Sequence, residues 1–186
     1  MAVKTFTTGE VLTAADTNTY LNNGGLVYIT ETSYTASAAV NIDGCFTSTM
    51  DHYLIVASSL GSVSTNQRIK FRASNSTDST NNYYTQGLYP NNSTTGYVYD
   101  FPVTTGHFVG NITSTAGEVG TFTAQVWNPQ KSVRTSIFIQ WEATSSGLGG
   151  FNNGVHATTT SFDGFSLFAA SGTITGTVRV YGYRQA

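Results

Sequence analysis

Charge is scarce in this sequence. Of its 186 residues only 10% are Asp, Glu, Lys or Arg, and they sum to a net charge of −2. A nucleic-acid binder neutralises a row of phosphates with clustered Lys and Arg, and no such cluster occurs here, so no nucleic-acid partner is expected. No apolar run approaches the roughly 20 residues that a membrane-spanning helix needs, so no membrane partner is expected either. Nor does a basic segment followed by an apolar one open the sequence; the expectation is a protein made in a cytoplasm without a signal peptide. Cysteine occurs once. A lone thiol cannot close an intramolecular disulfide, and Cys45, beside Phe46, reads as a small buried apolar residue.

Thr, Ser, Asn and Gly dominate what is present, with 11 Tyr, 11 Phe and only 3 Pro. That is the usage of a β protein with polar surfaces and tight turns. A surface made of hydroxyls and amides rather than of ions can also be covered by neighbours without desolvating many charges.

Period-2 alternation recurs along the chain. In "SVRTSIFIQWEA" Val133, Thr135, Ile137, Ile139 and Trp141 share one face, opposite Arg134, Ser136, Gln140 and Glu142. "QRIKFRA" sets Ile69, Phe71 and Ala73 inward against Arg68, Lys70 and Arg72, which read as a solvated stripe or as partners for carboxylates of a neighbouring chain. "TITGTVRVYGY" places Ile174, Val178 and Val180 on its inner face. "HYLIVASSL" is apolar on both faces at its centre and reads as a central strand covered on each side. Seven or eight such strands predict an all-β fold of two antiparallel sheets packed as a sandwich, in a jelly-roll-like arrangement. The stretch from about 74 to 115, rich in Asn, Ser, Thr and Tyr, reads as a long insertion, either a loop or an irregular pair of strands.

Only "TFTTGEVLTAADTNTYLNNGG" carries helix signals. Thr13 suits an N-cap, Asp16 follows at the spacing of a capping box, and Asn23-Gly24-Gly25 tolerates positive φ at a C-terminus. One helix of about two turns is predicted near residues 13 to 22, and a helix that short needs a docking surface. The chain therefore divides into an arm and helix, 1–25, and a sandwich domain, 26–186. Phe6, Val11, Leu12, Tyr20 and Leu21 are the candidate anchor by which the arm attaches to a partner.

The stretches "TFTTGEVLTAADTNTYLNN", "FTSTMDHYLIVASS", "RIKFRASNS" and "TTSFDGFSLFAASGTITGTVRVYGYRQA" resemble segments of small virion structural proteins of tailed bacteriophages, of the tail-fibre, head-fibre, minor-tail or decoration type. The resemblance covers both ends and the first half, leaving roughly 75 to 155 as a variable middle. It implies a non-enzymatic component displayed on a virion, with other virion proteins as partners and a homo-oligomer, a trimer above all, as its assembly. It brings no catalytic, cofactor or metal residues.

Residue chemistry agrees with an absence of catalysis. His52, His107 and His156 are far apart in sequence and lack metal-ligand spacing. No G-x-S-x-G elbow is present. Asp43, Asp51, Asp78, Asp100, Asp163 and Glu118 form no evident acid pair for glycoside cleavage, and Asp43-Gly44 and Asp163-Gly164 read as turns. Tyr83, Tyr84, Tyr89, Tyr97 and Tyr99 are the stronger lead. Exposed tyrosines beside Asn and Ser combine a rigid apolar face with hydrogen bonding, as recognition surfaces do. Two readings of them stand side by side: packing under the loop or against a sister subunit, and binding of a bacterial surface glycan.

Overall fold

The computed structural model describes residues 7–11, 13, 25–90, 95–144 and 147–183, and the side chains of 90, 95 and 98–101 are not among those described. Among these residues thirteen strands occur in two antiparallel sheets. The larger sheet holds β1 (Leu26–Ser37), β3 (His52–Gly61), β6 (Tyr83–Pro90), β7 (Thr95–Val103), β9 (Gly120–Trp127), β10 (Thr135–Ala143), β11 (Leu148–His156) and β13 (Ile174–Tyr183). They lie in the order β1-β13-β3-β9-β10-β11-β6-β7. The smaller holds β2 (Ala39–Ile42), β4 (Thr65–Ala73), β5 (Ser76–Thr77), β8 (His107–Ile112) and β12 (Gly164–Ala169). Its order is β2-β12-β4, with β5 and β8 sharing the far edge of β4.

Alternation explains which faces meet. Tyr53, Ile55 and Ala57 of β3, Phe122, Ala124 and Val126 of β9, and Ile137, Ile139 and Trp141 of β10 are buried on the inner face of the large sheet. They join Ile69 and Phe71 of β4 and Phe165 and Leu167 of β12 in one core. Aromatic rings tie the layers together: Phe46 lies 4.8 Å from Tyr53 and 5.8 Å from Phe165, and Phe71 lies 5.1 Å from Phe162. The Tyr53 hydroxyl is used as well, accepting from the Thr47 N–H at 2.7 Å and donating to the Thr47 carbonyl at 2.8 Å. Cys45 is buried.

The 74–115 stretch is organised into strands. Ser74 and Asn75 both take positive φ, 51° and 64°, as a two-residue hairpin turn between β4 and β5 requires. β6 and β7 then form a hairpin that extends the large sheet beyond β11, and β8 returns to the small one. The helix expected near 13 to 22 lies outside the described residues except for its first position, and the described residues contain no helix. Residues 7 to 10 make a turn closed by the Glu10 N–H to the Thr7 carbonyl at 3.0 Å.

Two burial expectations change. Arg72 is not part of a solvated stripe: it is 6% exposed, its Nε donates to Asp43 Oδ1 at 2.6 Å, and its other nitrogens reach the Asn75 carbonyl and Thr77 Oγ1. The neighbouring turn carboxylate has its own task, since Asp163 Oδ2 accepts the Ser74 N–H at 3.0 Å. β3 is central, between β13 and β9, yet among the described residues only one of its faces is covered. Leu54, Val56 and Leu60 point to the other face and are half-buried by their strand neighbours.

Candidate functional site

The outer face of the large sheet is built of cross-strand rows, because side chains paired in antiparallel register stand beside one another. One row runs Glu31, Arg179, Val56, Thr123, Gln140, Phe151, Leu88 and Tyr97, one residue from each of the eight strands. The next, two residues along each strand, runs Thr177, Ser58, Thr121, Glu142 and Gly149. On the opposite side, Tyr181, Leu54, Gln125, Phe138 and Asn153 form a third.

A groove of about 890 Å³ lies over these rows, between β13 and β11. Four inter-strand steps make it about 19 Å long, the reach of a short oligomer rather than of one small molecule. Its lining includes Phe138 and Phe151 as apolar surfaces, and Thr121, Thr123, Ser58 and Gln140 as hydrogen-bonding groups. A few aromatic faces among convergent polar groups is the make-up of a ligand site. Phe151 is 46% exposed, and beyond it Leu88 and the 72% exposed Tyr97 prolong the apolar edge past the groove.

Among the described residues two charged side chains line the groove, Arg179 and Glu142. Arg179 Nε donates to Glu31 Oε2 at 2.5 Å, so its charge is compensated within the protein. Glu142 is exposed, and among the described residues nothing pairs with it. Its row neighbour on β11 is Gly149, where a Cβ would come to 3.9 Å from the Cβ of Glu142. Lacking that Cβ, the chain leaves the flank of the Glu142 side chain open.

At the end of the same face nearest Leu26 the rows become aromatic. The His52 ring is stacked between Tyr183 at 4.1 Å and Trp127 at 4.7 Å, and Tyr28 meets Tyr181 edge-on at 5.9 Å.

The tyrosines singled out in the sequence are dispersed by the pleat. Tyr97 lies at the exposed end of the groove row, and Tyr84 is half-buried on the outer face. Tyr83 is fully buried under the sheet, its hydroxyl accepting from the Phe71 N–H at 3.0 Å, and Tyr89 packs 5.9 Å from Trp141. Tyr99 pairs through its backbone with Gln86, and its side chain lies outside those described. Of the anchor candidates, Val11 is exposed, and Phe6, Leu12, Tyr20 and Leu21 lie outside the described residues. Thr121, Thr123, Phe138, Gln140, Glu142 and Phe151 did not stand out in the sequence. Gln140 and Glu142 already carried the signal of an outer face, but the partners that make them a groove come from four other strands.

A second cluster is wholly internal. His107 and His156, remote in sequence, both lean edge-on against Tyr83, at 5.0 and 4.6 Å. His107 Nδ1 shares a hydrogen bond with Thr85 Oγ1 at 2.9 Å, and Gly154 makes room for the ring: a Cβ there would lie 2.6 Å from that nitrogen. Burial first, then the nearby charges of His156 and Arg68, hold the His107 pKa down to about 3. Burial also lowers that of His156, partly offset by Asp78, whose Oδ2 lies 3.3 Å from Nε2 without hydrogen-bond geometry. Among the described residues no three His, Cys, Asp or Glu side chains gather to hold a metal ion.

No protein-family model, curated protein or solved structure matches the chain.

Proposed function

We propose that this chain is a non-enzymatic glycan-binding module that presents the open face of its large sheet from a larger particle. The observation that carries this reading is the groove across five strands, with Phe151, Gln140 and Thr123 in one row. Sugar rings have apolar faces and hydroxyl rims. A groove with an exposed ring beside an amide and hydroxyls matches both, and its length suits an oligosaccharide. Hydrolysis of that sugar would need two carboxyl groups flanking one bond; the described residues of the lining supply one, Glu142.

The scaffold supports display. If β5 and the hairpins β6–β7 and β10–β11 are set aside, eight strands remain, ordered first-eighth-third-sixth and second-seventh-fourth-fifth. That is the strand order of a jelly roll, and the two hairpins widen one sheet of it. The terminal stretches that resemble virion proteins supply the setting: a tailed-phage particle, with the segment 1–25 as attachment device and a trimer as the assembly.

A panel of immobilised oligosaccharides, probed with the intact protein and with a Phe151→Ala/Gln140→Ala variant, tests the reading. Binding to oligosaccharides by the parent protein, lost in the variant, supports it. Binding that the variant retains in full places any sugar site elsewhere and overturns it.

A further inference from the structure

We infer that Glu142 makes the groove select glycan strands bearing ammonium or neutral hydroxyl groups and reject strands bearing carboxylates. The inference rests on reading the groove as a sugar site and adds what that site discriminates.

The charge balance carries it. An acidic sugar is recognised by a cation free to pair with it, preferably through the forked donors of Arg. Among the described residues of the lining the one cation is Arg179, and it is already engaged with Glu31 at 2.5 Å. What remains uncompensated among the described residues of the lining is the carboxylate of Glu142. A carboxylate on the ligand would be held beside a like charge, whereas an ammonium group would find the acceptor it needs.

Position makes the charge selective. Glu142 is two residues from Gln140 on β10, about 7 Å along the strand. A ring stacked on Phe151 and bonded to Gln140 therefore has Glu142 within reach of a substituent at its edge or on the adjoining unit. Thr121 flanks Glu142 on β9 and offers a hydroxyl to a neutral ligand. On β11 the partner is Gly149, whose absent side chain keeps the carboxylate accessible.

Titration calorimetry of the intact protein with three β-1,4-linked hexamers tests this: glucosamine (ammonium), glucose (neutral) and mannuronate (carboxylate). At low salt the expected order of affinity is glucosamine over glucose over mannuronate. Glu142→Gln should remove about three- to fivefold of the glucosamine preference, the worth of one exposed ion pair, and raise salt should do the same. Continued saturable binding of the glucose hexamer by the variant, held through Phe151 and Gln140, shows that the groove is intact. Mannuronate bound as tightly as glucose, or a glucosamine preference unaltered in Glu142→Gln, overturns the selectivity while the sugar groove stands. Failure of the parent protein to bind any of the three overturns the groove reading, and the inference falls with it.

Discussion

Phe151 and Gln140 are direct partners in the β10–β11 ladder, so an exposed aromatic ring and a primary amide stand side by side on the open face of the large sheet. Neither side chain belongs to the core. Phe151→Ala is therefore expected to weaken oligosaccharide binding roughly tenfold, about 1.4 kcal/mol, while the melting temperature moves by only a degree or two, because surface truncations away from the core stay within about 0.5 kcal/mol. Paired calorimetry and thermal unfolding check this. A large drop in melting temperature would show that Phe151 holds the sheet rather than a ligand.

Acid should loosen the protein through its buried histidines. Their folded-state pKa values are depressed, His107 to about 3, so the unfolded chain binds more protons and stability rises with pH. The destabilisation is absent above the ordinary histidine value near 6.5, grows as pH falls below it, and levels off only near the folded value of about 3. Denaturant midpoints measured between pH 7.5 and pH 4 should fall steadily. His107→Leu should flatten that slope, whatever its absolute stability; an equal slope in the variant would assign the acid sensitivity to other groups.

Arg72 and Asp43 form a pair buried on the arginine side, with Asp43 about one third exposed. Arg72→Leu strands Asp43 and leaves the Asn75 carbonyl and Thr77 hydroxyl without their donor. The expected loss is toward the low end of the roughly 3–5 kcal/mol seen when one partner of a buried pair is removed, since Asp43 stays partly hydrated. Adding Asp43→Asn should recover part of it. Chemical denaturation of the single and double variants measures both effects, and strict additivity would contradict the coupling.

The core of the described residues is drawn from Tyr34 to Val180. If residues 1–25 are the attachment device proposed above, their removal is expected to leave the β-rich circular dichroism spectrum and melting temperature of the sandwich intact, while incorporation into the proposed particle is lost. A truncated protein that aggregates or melts far lower would make the segment part of the domain instead of its attachment.

Local alternation made much of the fold legible. Ile137, Ile139 and Trp141 face inward as their spacing in "SVRTSIFIQWEA" required, and Ile174, Val178 and Val180 do the same at the far end of the chain. Properties that depend on partners were not legible. Arg72 sits in a period that points outward, and the partners that hold it, Asp43 after β2 and Asn75 and Thr77 after β4, lie outside its own strand. His107 and His156 are separated by the rest of β8, by β9 and β10, and by most of β11, and the sheet order alone brings them to one tyrosine. The groove is of the same kind: each strand contributes one or two outward residues, and no segment carries enough of them to mark a site.

The central claim is that the open face around Gln140 and Phe151 binds an oligosaccharide. Amide chemical-shift mapping of the isotopically labelled protein during titration with the glucose hexamer tests it most directly. The account predicts saturable shifts concentrated at Val56, Thr121, Thr123, Gln140, Glu142 and Phe151, spanning strands β3, β9, β10 and β11. Shifts confined to the small sheet or to the sheet edges, or no saturable shifts at all, would contradict it.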